Sequence, residues 1–181
     1  GLVIRPIHRL VPRPAPADWR QRLGDAFEVE HVKLPAGAAE SRESLLEVLE
    51  TADAVALELE PRQVHALRRV PGKPLAGSVP PGHSDAWLGI GPNVLRYGVL
   101  EPLWGISDDD LRAGAIEYSH DLDEVFAFLD ARPGNSAAFL LNPVRIEDVM
   151  KLADQGERMP QKSTFFHPKL VTGLVFYPLE P

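Results

Sequence analysis

The sequence predicts an α+β fold, a mixed or antiparallel sheet with short helices packed on it, and three observations carry that expectation. The first is material for a core: 44% of the 181 residues are apolar and 25% are charged, the balance of one globular domain or at most two small ones. The second is alternation, with strand-like and helix-like segments taking turns at 115–118, 122–130, 137–141, 146–155 and 170–177. The third is irregularity. The helices are short, the loops uneven and the strand edges interrupted by proline, which suits an α+β layer with helices on one sheet face better than the runner-up, a parallel sheet of regular βαβ units.

The elements follow in order. Residues 3–11 (VIRPIHRLV) are rich in branched side chains and alternate loosely, an early strand with Pro6 at an edge or bulge. Pro12, Pro14 and Pro16 stop it. Asp18 is placed to cap a helix running through Phe27, with Trp19, Leu23 and Phe27 recurring on one core-facing stripe. A short strand at 28–34, a helix capped by Ser41 and a strand at 54–59 come next. Residues 70–92 lack periodicity and are dense in turn formers, so they read as a long loop or connector inside a single region spanning 1–181. Val94, Leu95, Val99, Leu100 and Leu103 wrap most of the surface of a helix broken near Pro102, which predicts burial. Ser107 before Asp108, Asp109 and Asp110 reads as a solvated helix cap rather than a metal site, because neighbouring carboxylates on a helix diverge. Asp121 is the expected cap of the 122–130 helix.

Composition excludes several function classes. With 19 bases against 26 acids the net charge is −7, which weighs against a broad grip on nucleic acid or an anionic membrane and leaves room for a local basic patch. The absence of cysteine removes disulfides, thiolate metal sites, iron–sulfur clusters and thiol nucleophiles. No run of about eighteen apolar residues offers a membrane span. The six histidines show no metal-ligand spacing, so no metal site is assigned. The start at Gly1, without methionine or a signal pattern, reads as a cut.

The densest polar segment is 156–170. Gly156, Lys162 and Ser163 have the spacing of a phosphate-binding loop, but Gln161 stands where the second glycine belongs, and a helix precedes the segment where the motif needs a strand. The credible chemistry is an irregular turn offering Lys162, Ser163, Thr164 and Lys169, with Arg158, to an anion. Its plain alternative is a connector whose aromatics pack and whose lysines face water. His8 and Arg9 sit on opposite faces of a strand, so one can reach a cleft to meet an anion; the blander and favoured reading is an edge-strand charge with the other side chain packed. His120-Asp121 and His83-Ser84-Asp85 bring acid–base groups together in sequence only, and no nucleophile elbow accompanies them. Asn142-Pro143 makes a turn that can line a site at a strand end, and Glu50, Glu58 and Glu60 read as surface charge.

Residues Met159-Pro160-Gln161-Lys162-Ser163-Thr164-Phe165-Phe166-His167-Pro168-Lys169-Leu170, followed by Gly173-Leu174-Val175, resemble the closing signature of the domain-of-unknown-function 1015 family. Arg5-Pro6-Ile7-His8-Arg9, Leu100-Glu101-Pro102-Leu103-Trp104-Gly105, Tyr118-Ser119-His120-Asp121 and Phe139-Leu140-Leu141-Asn142-Pro143 agree in order, while 61–85 departs from it. The resemblance covers the C-terminal half of a typical member. It implies a cytoplasmic bacterial or archaeal protein and names no reaction. Members carry an N-terminal glycine-histidine-histidine-arginine signature similar to the ParB and sulfiredoxin-like group, which includes nucleotide-using proteins and free-serine kinases; this chain has no such motif.

The resulting expectation leaves catalytic residues unassigned. It is a half-site for a small anionic, phosphate-bearing ligand, held by Lys162, Ser163, Thr164 and Lys169 with His8 and Arg9 nearby, as part of a nucleotide-using small-molecule phosphotransferase. A nucleotide is the cofactor the resemblance admits, though no residue here requires one. The expected partner is the N-terminal half of the same family protein, met by an apolar or basic face near the first strand and the 159–169 turn. The alternative is a structural or protein-interaction module with no catalysis of its own.

Overall fold

The computed structural model describes residues 3–168 and shows an α+β fold built on one six-stranded antiparallel sheet. Its strands are β2 (His8–Val11), β3 (Phe27–Val32), β4 (Ala54–Leu57), β5 (Val64–Arg69), β6 (Glu117–Ser119) and β7 (Ala137–Leu140), in the order β3-β5-β4-β7-β2-β6. β1 (Val3–Arg5) and β8 (Phe165–His167) form a separate antiparallel ribbon. Every residue of β2, β4 and β7 is buried. Strands that are apolar at both parities must be covered on both faces, and they are. On one face β4, β5 and β7 present Val55, Leu57, Val64, Ala66, Ala138 and Leu140 to Leu45 and Leu49 of α2 (Ala38–Thr51) and to Val125 and Phe128 of α7 (Leu122–Asp130). On the other, Ala56, Leu67 and Phe139 meet Trp19 and Leu23 of α1 (Trp19–Leu23) and the helical run 91–104. The expectation of helices on one face is thereby corrected. Phe139 shows how the second core fits: it lies between Ala56 and Arg9 in register, and the alanine leaves room for its ring while Trp104 meets it edge-on at 6.0 Å.

Several local expectations shift. Pro6 does not mark an edge or bulge of one early strand but divides it, since a residue without an N–H cannot continue the ladder; β1 leaves to pair Val3, Ile4 and Arg5 with His167, Phe166 and Phe165. Because β6 lies outside β2, the latter is an interior strand. The first helix ends at Leu23, where Gly24 turns the chain at φ 58° and Phe27 opens β3 while still joining the Trp19–Leu23 core. Asp18 caps no backbone N–H and instead accepts from Arg22 Nε at 2.8 Å. α2 begins at Ala38, ahead of Ser41, whose hydroxyl donates to the Pro35 carbonyl at 2.8 Å. Strand β5 and helix α3 (Asp85–Leu88), the latter capped by Ser84 within the expected 70–92 loop, lacked a sequence forecast. Ser107 with Asp110 forms a capping box on α6 (Asp108–Arg112), and Asp121 caps α7, as read. The strand expected at 170–177 lies outside the described residues. No helix among the described residues is long and apolar enough to cross a membrane.

The run 91–104 is α4 (Gly91–Leu95), a π-helical turn (Arg96–Leu100) and α5 (Glu101–Trp104). In the π-turn the Glu101 N–H reaches the Arg96 carbonyl, so the next donor in the ladder would be Pro102, which has none. The Tyr97 carbonyl is thereby released, and Gly77 of the long loop donates to it at 2.7 Å. Ser78 N–H donates to Glu101 Oε1 at 3.0 Å beside it. A Cβ on Gly77 would lie 2.4 Å from that carbonyl oxygen, and one on Gly98 would lie 2.6 Å from Phe27 Cζ, so both approaches need glycine. Gly77→Ala is expected to lower stability by about 1–3 kcal/mol and to speed cleavage within 70–83 in limited proteolysis; unchanged urea unfolding and cleavage would remove this contact from the account.

Candidate anion-binding cleft

A cleft of about 710 Å³ opens where the long loop, the run 91–104, α6, strands β2 and β6 and the segment after α8 (Ile146–Asp154) converge. Its bases are Arg9, Arg96, Arg112, Arg158 and Lys162; its acids are Asp108 and Glu157. A chain that is acidic overall therefore concentrates positive charge here.

Arg9 is the most constrained of these groups. It is 4% exposed, its guanidinium donates to the Ile7 carbonyl and, at 2.9 Å, to the Lys162 carbonyl, and it lies over the Tyr118 ring at 5.3 Å. Among the described residues no carboxylate pairs with it. Burial pushes its pKa down to about 10, which leaves it charged at neutral pH. Arg96, also buried, is held by the Ile106 carbonyl and, at 3.4 Å, by Asp108, and stands over Tyr97 at 5.4 Å. Burial raises the phenols of Tyr97 and Tyr118 above the usual range, so both are neutral donors at neutral pH.

Opposite Arg9, the chain turns at Lys162 with φ 54°, a left-handed conformation that is sparse for a residue with a Cβ. Lys162 lines the cleft while its carbonyl anchors Arg9. Ser163 is buried, and its hydroxyl donates to the Pro160 carbonyl at 2.7 Å, closing the turn rather than facing the cavity. Thr164 is not part of the lining, and Lys169 lies outside the described residues. His8 is buried on the other face of β2: its Nδ1 accepts from the Leu141 N–H at 3.2 Å, and it takes no part in the cleft. The favoured reading of an edge-strand charge is corrected, since an interior strand buries both neighbours. Of the five expected site residues that are described, the cleft gathers Arg9 and Lys162.

The acid–base groups adjacent only in sequence do not pair with one another. Asp121 is spent on its cap, and His120 stacks on Phe165 at 4.5 Å. Asn142 donates to the Leu49 and Ala52 carbonyls, closing the end of α2. His83 pairs with neither Ser84 nor Asp85 but with Glu157, Nδ1 to Oε2 at 3.0 Å, while its ring stacks on Trp87 at 3.6 Å. Arg96, Tyr118 and this histidine–glutamate pair were missed. Arg96 left a signal: an arginine inside a helix with apolar residues all round has to be buried and partnered. Tyr118 and Glu157 left none, because strand pairing and loop closure bring them in from a distance.

Among the described residues no group of three metal-ligating side chains converges. No family model, curated protein or solved structure matches the chain.

The sheet face opposite the cleft supplies a pH test. Burial, helped by repulsion from Arg9 and His120, pushes His8 down from 6.5 to about 4. Between those values the unfolded chain binds a proton that the folded chain refuses, so the stability present above pH 6.5 declines as pH falls toward 4. The loss attributable to His8 should reach about 3 kcal/mol. Urea unfolding across this range should show it, and His8→Gln, which keeps an acceptor for Leu141, should flatten the slope; a variant as steep as the wild type would contradict the assignment.

Proposed function

We propose that this cleft binds a small anionic ligand bearing a phosphate group. The observation that carries the reading is Arg9, a buried guanidinium that lines the cavity with carbonyl partners and, among the described residues, no carboxylate. A buried charge without a counter-charge is costly, and an entering anion relieves that cost. The fork of the guanidinium suits phosphate oxygens, and Arg96, Lys162 and the two phenols surround the same space. The wider form of the proposal, one half of a nucleotide-using small-molecule phosphotransferase completed by an N-terminal half, rests on the family resemblance.

A second reading has its own support. Arg9 donates to the Lys162 carbonyl and Ser163 to that of Pro160, which is how a connector between α8 and the ribbon would be fastened. A structural or interaction module would then be the whole role of this segment.

Calorimetry with inorganic phosphate separates the two. Saturable binding is expected, weakened tenfold or more, roughly 1.4 kcal/mol, by Arg9→Met and left unchanged by Lys33→Met on the far edge strand's exit. Absence of saturable binding by a folded wild-type chain would leave the module. Exposed Lys162 contributes less, so Lys162→Ala is expected to weaken phosphate by about two- to fivefold in the same titration, in keeping with the value of a solvated charge; no change would take its side chain out of the site.

A further inference from the structure

The histidine–glutamate pair at the cleft is built more firmly than a surface contact requires. His83 Nδ1–H donates to Glu157 Oε2 at 3.0 Å, and Glu157 is itself set by the Ser84 N–H, which reaches Oε1 at 3.1 Å. One face of the imidazole lies on Trp87, with 8° between the ring planes. Trp87 is fixed in turn: its indole Nε1 donates to the Arg158 carbonyl at 3.1 Å, and its backbone carbonyl accepts from the Asn93 side-chain amide at 2.7 Å. With Nδ1 and one face committed, Nε2 is the nitrogen that makes no hydrogen bond among the described residues, and 32% of the side chain is open. A carboxylate on Nδ1–H fixes the tautomer that leaves a lone pair on Nε2 and stabilises the imidazolium once formed. The bonds from Ser84 and His83 hold the Glu157 carboxyl below its usual range, so it stays an acceptor.

We propose that His83, oriented by Glu157, is a general base of this cleft and that the chemistry is hydrolysis of a phosphomonoester. The proposal rests on the anion-binding reading above, which places the phosphoryl group among Arg9, Arg96 and Lys162. Water is the nucleophile, and with no cysteine in the chain no thiol competes for that role. His83 Nε2 takes a proton from water as its oxygen bonds to phosphorus. The bond from phosphorus to the ester oxygen breaks with its electron pair on that oxygen, which takes a proton from solvent. The imidazolium returns its proton to solvent, so ester and water give alcohol and inorganic phosphate. The arginines stabilise charge on the phosphoryl oxygens through the transfer. Glu157 is a positioning residue.

The test uses p-nitrophenyl phosphate and phosphoserine as substrates and inorganic phosphate as the binding probe. Wild type should bind phosphate and hydrolyse at least one ester. His83→Gln should lose about 100-fold or more in kcat with phosphate affinity within about threefold of wild type. Glu157→Gln should lose less, and imidazole added to His83→Gly should restore part of the rate, which a merely structural histidine would not allow. Phosphate binding without turnover of either ester, full activity in His83→Gln, or no rescue by imidazole would each overturn the proposal while leaving the anion site standing. Failure of a folded wild-type chain to bind phosphate would overturn the site itself.

Discussion

Arg9 brings a guanidinium onto a sheet face otherwise lined by Phe139, Val11 and Tyr118, and the cleft is organised by the way that charge is accommodated. Its two carbonyl acceptors come from Ile7, two residues before it in the chain, and from Lys162, at the far end of the described fold. The contact with Lys162 ties the turn after α8 to an interior strand, so one wall of the cavity is fixed by the same hydrogen bond that shelters the charge. The backbone dipoles lower the cost of burial without cancelling the charge. The remaining positive potential faces the cavity, where Arg96 adds to it through a guanidinium restrained by Asp108 and Ile106. Fold and the proposed binding chemistry thus share one side chain, and a variant at Arg9 has to be read against its stability as well as its affinity.

The opposite wall depends on an omission. Pro102 contributes no donor, the Tyr97 carbonyl is left over, and Gly77 uses it to dock a loop that carries no regular structure of its own there. This docking sets the path of the chain toward His83 and Trp87. The π-turn is more than a local irregularity in a helix: it lets Arg96 and Tyr97 both line the cavity while Val99 and Leu100 pack into the core.

What could be read in the sequence divides along the range of the forces involved. The bounds of α7 were legible because everything that sets them is local: an aspartate cap, then Val125 and Phe128 at helical spacing. β7 was legible to within a residue from its apolar run, and the cap of α6 from Ser107 and Asp110. β5 was not, since Val64, Ala66 and Leu67 stand among His65, Arg68 and Arg69 and gain strand identity from pairing with β3 and β4 on both sides. In the cleft, Lys162 stood out by residue type and context, whereas Arg9, a candidate too, read first as an edge-strand charge because strand order is set by distant pairing. Glu157 looked like one charge among many in a polar turn, and its partner His83 lies across a loop whose path is decided by Gly77 and Pro102. Ser163 is the reverse case: its type suggested phosphate, and its geometry assigns it to the turn.

The two edges of the large sheet carry a consequence for how this chain meets other chains. One edge, β6, is three residues long. The other, β3, carries Glu28, Glu30 and His31 among its apolar residues, and Arg68 of β5 reaches across to Glu30 at 2.6 Å. Short edges and charged edges both discourage a foreign strand from adding to the ladder. Strand-by-strand polymerisation is thereby disfavoured even though the inner strands are as apolar as those of aggregation-prone sheets. Association through the main chain of the described sheet edges is discouraged, which favours side-chain surfaces as the means of recognition.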